Sequence, residues 1–272
     1  MYNTESIKTI HYGITILEQK MKKILLVLVL VFCNGCLTSQ TDRITQTSTI
    51  DALLAGAYDG QMSCGELLNY GNFGIGTFER LDGEMTILNG KIYQVKSDGK
   101  VYIPAADIKT PFATVCNFKP DIQFAMQSAD FKKAQSIIDA QVSNQNQFLA
   151  VEISGKFRHI KVRSVPVQHK PYPPLAEVTK TQPVFEMNDI TGTIVGFRTP
   201  PFAKGLNVPG CHFHFISSDL RQGGNVLDFE LNSGNCKIDR CSEFLLILPK
   251  NDLLKNIDLS KDKTEELQKA EK

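Results

Sequence analysis

Apolar residues recur along this chain in two rhythms, and the shorter one dominates. From Phe148 onward they alternate or run in brief blocks: Phe148–Ile153, Phe157–Val165, Gly192–Phe197, Cys211–Ile216, Asn225–Leu231 and Glu243–Leu248 each read as a strand. Earlier, Glu84–Leu88 and Lys91–Val95 flank Asn89-Gly90, a dipeptide that tolerates left-handed backbone and so predicts a two-residue hairpin. Ser97-Asp98-Gly99 marks another turn, and Phe112–Phe118 a further strand. The helical rhythm is rarer. Ile50–Ala57 fits a short helix, and Ser63-Cys64-Gly65-Glu66 has capping-box spacing for another, with Gly71 placed to end it. From about Asp130 to Val142, the residues Phe131, Ala134, Ile137 and Ile138 fall on one stripe, with Ser128 as a candidate cap. Pro166–Pro174 reads as an extended loop, and the charged tail beyond Asn251 is compatible with helix. The pattern predicts an α/β protein: a mixed β-sheet half with helices (49–145), then a β-barrel-like half (146–272). The boundary falls near residues 143–147.

The N-terminus departs from this pattern. Met21-Lys22-Lys23 precedes an apolar run, Ile24–Cys33, too short to span a bilayer, and then Asn34-Gly35-Cys36. Residues 1–36 therefore read as a secretory leader with Met21 as the true start. The Gly35-Cys36 junction resembles a bacterial lipobox, which implies a lipid-anchored protein of the cell envelope; a plain signal peptide or a buried apolar segment is the alternative, and a cytoplasmic location follows if the leader does not function. Residues 37–48, rich in Thr, Ser and Gln, read as a tether. In an oxidising compartment the remaining cysteines, Cys64, Cys116, Cys211, Cys236 and Cys241, are free to pair. Cys236 and Cys241 either bridge a short loop or stay as two thiols. Among these five no C-x-x-C occurs, so a zinc ribbon has no support. A formal net charge of +1 gives no electrostatic case for nucleic acid.

The chemistry concentrates at Asn207-Val208-Pro209-Gly210-Cys211-His212-Phe213-His214-Phe215-Ile216. On a strand, alternate side chains share a face, so His212 and His214 point together and Phe213 and Phe215 point the other way. Two such imidazoles suit a borderline cation such as zinc. A hairpin in which Ile216 faces Gly223 places His214 opposite Asn225, which makes Asn225 a third donor position. Phe157, His159, Lys161 and Arg163 alternate against Ile160 and Val162, and this polar face suits a cleft.

These residues, with Gly223-Gly224-x-Val226-Leu227, resemble the signature of acetolactate decarboxylase. In the same order come Gly74-Ile75-Gly76-Thr77, Leu81-Asp82-Gly83-Glu84-Met85, Tyr93-Gln94, Thr110-Pro111-Phe112-Ala113, Arg163-x-Val165-Pro166 and Pro171-Tyr172-Pro173-x-Leu175-x-Glu177-Val178. The resemblance spans roughly residues 49–272. It implies a two-domain α/β homodimer that converts 2-acetolactate to acetoin and carbon dioxide, with zinc lying between the halves on three histidines. Two of these fall on His212 and His214, and the third falls on Asn225. It further implies Glu84 and Glu271 as catalytic carboxylates and Arg163 as the catalytic arginine, the Glu271 match resting on Gln268-Lys269-Ala270-Glu271. Two alternatives stand beside it. One is a non-catalytic member with a weakened metal site, acting as a binding module. The other is a cupin-like metal barrel, which would need a glutamate shortly after the histidines, and Phe215–Asp219 has none.

Overall fold

The computed structural model describes residues 42–250, 252–255 and 257–271, so the leader and the start of the tether lie outside the described residues. Residues from Asp42 onward form one compact unit of strands with a few short helices. The first sheet has seven strands in the order β14 (Glu243–Ile247), β1 (Arg43–Thr47), β8 (Ala113–Cys116), β3 (Phe73–Thr77), β4 (Glu84–Leu88), β5 (Lys91–Val95) and β6 (Val101–Tyr102). The second runs β10 (Phe148–Arg163), β11 (Val184–Thr199), β12 (Gly210–Ser217), β13 (Gly223–Cys241) and β9 (Ile122–Asp130), and β10 also pairs with β13. A small ladder joins β2 (Met62–Ser63) to β7 (Lys109–Thr110). The helices are α1 (Ile50–Leu54), α2 (Cys64–Leu67), α3 (Phe131–Gln141), α4 (Leu175–Val178) and α5 (Thr264–Glu271).

Local chemistry explains much of this. The β4–β5 hairpin turns on Asn89 (φ 53°) and Gly90 (φ 73°), the left-handed pair that a two-residue turn between right-twisted strands demands. In the α2 capping box the Ser63 Oγ accepts from the Glu66 N–H at 3.2 Å, and the Glu66 carboxylate accepts from the Ser63 N–H at 2.9 Å. Helix α1 stops at Leu54, short of Ala57, because the chain turns at Gly56 with φ 95°. Asp130, not Ser128, caps α3: its carboxylate accepts the Lys133 N–H at 2.7 Å.

Three expectations about the larger organisation of the chain need correction. The segment 37–48 is not all tether, since Arg43–Thr47 is the strand β1, inserted between β14 and β8. Its polar residues are satisfied inside: the Gln46 side-chain amide donates to the carbonyls of Ser48 (2.8 Å) and Leu206 (2.7 Å). Nor does a boundary at 143–147 separate the sheets. β9, before it, pairs with β13, while β14, after it, returns to pair with β1. The expected strands Phe148–Ile153 and Phe157–Val165 are one strand, β10, whose ladder with β13 continues through Ser154↔Asn235 and Gly155↔Gly234.

Register shifts beside Phe157 break the simple alternation on β10. Phe157 therefore joins Ile160 and Val162 in the core rather than the polar face expected for it. That core packs α3 onto the second sheet, with the Phe131 ring 5.7 Å from those of Phe213 and Phe229. Gly224 (φ 145°) sits so tightly that a Cβ there would lie 2.5 Å from the Arg163 carbonyl oxygen. Cys236 and Cys241 both lie on β13 at odd separation and enter different cores, so a bridge between them is excluded.

Candidate active site

Three adjacent strands set one row of side chains. β12 pairs with β13 through His214↔Asn225 and Ile216↔Gly223, the register expected from the sequence, and β13 pairs with β10 through Arg163↔Asn225. His212 lies two residues along β12 on the same face, its ring centroid 5.3 Å from that of His214. The opposite wall comes from the first sheet, where β4 begins with Glu84. Its Oε2 lies 3.7 Å from His214 Nε2. Helix α5 brings Glu271, whose Oε2 is 3.8 Å from His212 Nε2 and 3.0 Å from an Arg163 Nη. All six residues picked from the sequence line one cleft, with Ile50, Leu53, Leu81, Phe112 and Leu175 forming its apolar side.

The electrostatics follow from burial. Glu84 is 6% exposed. Desolvation pushes its carboxyl up to about 7, Glu271 pushing the same way and Arg163 pulling it down. Burial also lowers both imidazoles: His212 is held down further by Arg163 and up by Glu271, and His214 lies well below the ordinary range beside His212. Both rings are thus neutral near neutral pH, the form that binds cations.

The two rings differ in their support. His214 Nδ1 lies 2.8 Å from the Met85 carbonyl oxygen, so this nitrogen donates and Nε2 keeps its lone pair for the cleft. His212 Nδ1 is buried without a partner, and its Nε2 meets the Asn225 amide at 3.0 Å. Turned over about its terminal bond, that amide presents oxygen instead of nitrogen. Two neutral imidazole nitrogens, an amide oxygen and two nearby carboxylates fit a borderline divalent cation; the orphaned nitrogen makes His212 the less firmly oriented donor.

Comparison with known proteins agrees with this arrangement. Residues 44–261 match the family model for alpha-acetolactate decarboxylase. The chain belongs to the alpha-acetolactate decarboxylase family. It is 45% identical to the alpha-acetolactate decarboxylase of Methanosarcina mazei over 233 residues, covering 85% of this chain and 81% of that one. Against the Bacillus subtilis protein of the same name it is 38% identical over 241 residues, covering 85% and 93%. The crystal structure of alpha-acetolactate decarboxylase from Bacillus subtilis superposes with a TM-score of 0.82 at 35% identity, over 84% of this chain and 99% of that one. A Staphylococcus aureus protein described as similar to alpha-acetolactate decarboxylase superposes at 0.81, also at 35% identity.

Within this family fold, sequence reasoning missed the backbone groups that hold the side chains. The Met85 carbonyl fixes His214, the Ala270 carbonyl accepts from Arg163, and the Val165 N–H donates to Glu84 Oε1 at 3.4 Å. Main-chain partners carry no residue-type signature, so no motif announces them. The apolar wall was partly signalled by the buried stripe of α1, Ile50, Leu53 and Leu54.

Proposed function

We propose that this cleft decarboxylates 2-acetolactate to acetoin and carbon dioxide, with one divalent cation, zinc as first choice, on His212, His214 and Asn225. The observation that carries this reading is the meeting of groups from five separate elements: the β12–β13–β10 row, Glu84 of β4 and Glu271 of α5. 2-Acetolactate is a β-keto acid, so loss of carbon dioxide leaves a carbanion conjugated with its ketone. Bound in the cleft, the cation supplies Lewis acidity toward that developing negative charge.

The chain's own residues do the rest. Arg163, buried and already directed into the cleft by Ala270 and Glu271, orients the substrate carboxylate with its planar fork. Glu84, whose carboxyl is raised by burial to about 7, is present in both protonated and ionised forms at neutral pH, and its protonated form delivers the proton to the carbanion. The apolar wall excludes water and takes the two methyl groups. Replacing Glu84 by Gln should cut kcat by about 10²–10⁴-fold with secondary structure unchanged by circular dichroism; near-native turnover would remove Glu84 from the chemistry.

A second reading, a non-catalytic binding module, is favoured by one observation: Asn225, a weaker ligand than imidazole, stands between His214 and Arg163. Metal content and an acetoin assay on purified protein separate the two. Stoichiometric metal with turnover supports the enzyme, and neither in excess zinc supports the module. Asn225→His should tighten zinc binding by calorimetric titration; unchanged affinity would place Asn225 outside the ligand set. Lipid attachment at Cys36 and a homodimer belong to the same proposal, supported by the Gly35-Cys36 junction and by the family resemblance respectively.

A further inference from the structure

Two buried thiols meet far from any expected pairing. Cys116 ends β8 in the first sheet and Cys241 ends β13 in the second, at 1% and 2% exposure. Both enter the core shared by the sheets, beside Ile44, Phe73 and Phe197. Their sulfurs and a carboxylate oxygen of Asp239 lie within 4.8 Å of one another, and the Cys241 thiol donates to the Asp239 carbonyl at 3.8 Å. We propose that Cys116 and Cys241 form a disulfide that staples the two sheets together when the chain folds in an oxidising compartment.

The alternative for such a trio is a metal, and the geometry argues against it. Three donors fall one short of the four that close a structural zinc site. Asp239 Oδ2 is also already engaged, accepting the Lys119 N–H at 2.7 Å. The redox step balances through disulfide exchange. The two thiols give up two protons and two electrons, one S–S bond forms, and an oxidised dithiol catalyst is reduced to its two thiols. Burial and the neighbouring thiol push the Cys116 group well above its ordinary value, so thiolate is scarce once the sheets have closed. Exchange therefore belongs to folding, before the core is sealed. The staple would join residues far apart in sequence, the case in which a cross-link constrains the unfolded chain most. It would also pin the strand that receives the chain from the leader, because Ile44 of β1 pairs with Cys116.

The test is to refold the full chain in a glutathione redox buffer, alkylate it after denaturation, and map the peptides. Among the five cysteines beyond Cys36 we expect one Cys116–Cys241 linkage, with Cys64, Cys211 and Cys236 alkylated, and a Tm that drops by about 5–15 °C on reduction. Cys116→Ser and Cys241→Ser should each abolish that drop, and Cys236→Ser should retain it. The proposal is overturned by both thiols alkylated in the folded oxidised protein, by another pairing, or by a zinc ion on the reduced pair that Cys116→Ser removes. Should a serine variant fail to fold, the wild-type peptide map alone decides.

Discussion

The site is held from two sides in very different ways. His214, Asn225 and Arg163 sit on neighbouring strands of one ladder, with the aromatic core of Phe213, Phe131 and Phe229 behind them. Glu271 hangs on α5, a short C-terminal helix that buries only Leu267 and Ala270. The ladder is part of the cooperative fold. The helix is a local attachment, held by Leu267, Ala270 and contacts to the same buried arginine that is proposed to orient the substrate. The row of polar side chains is thus fixed by paired strands, whereas the position of Glu271 depends on the packing of one short helix.

Three experiments press on this contrast. The largest effect is expected behind the ladder: Phe213→Ala should cost about 3–5 kcal/mol of global stability and lower Tm by roughly 10 °C. A small Tm change in a thermal scan would deny that the row is part of the core. Next, Leu267→Ala should cost about 2–3 kcal/mol, but confined to α5. Amide exchange over Thr264–Glu271 should rise and kcat/KM fall about tenfold while Tm scarcely moves. Global unfolding in step with the helix would erase the distinction.

The smallest effect lies at the far end of the second sheet. Burial raises the Asp239 carboxyl from 3.8 to about 6, so the fold prefers its protonated form. Its contribution to stability is complete below about pH 4 and is lost as pH rises through about 6. Asp239→Asn should therefore flatten the Tm profile between pH 4 and 6; an unaltered profile would place the slope elsewhere.

How much of this was readable in the chain depended on where each signal resides. Asn89-Gly90 announced its hairpin because left-handed backbone is a local property. The His214↔Asn225 pairing was readable because a tight return after Ile216 sets the register. β1 was hidden: its residues Thr45, Gln46 and Thr47 look like solvated tether, and their burial is compensated by partners distant in sequence, Leu206 among them. The long strands were read as fragments because glycines and irregular pairings interrupt the apolar alternation without interrupting the ladder. Glu84 and Glu271 came from motif order alone, since nothing local distinguishes them from surface charges, whereas Arg163 was also signalled by the polar face of its strand. Of the two states the sequence left open for Cys236 and Cys241, both are thiols; no local signal pointed to the approach of Cys116 to Cys241, which depends on how the two sheets pack.

Gly224 has a lasting consequence for what this cleft can become. Any substituent there would press on the Arg163 carbonyl and pry apart the strands that carry the guanidinium and the Asn225 amide. Side-chain growth at position 224 is therefore blocked. Room for bulkier keto acids would have to be carved from Leu53, Leu81 or Phe112, which stand on other segments and can shrink without disturbing the polar row.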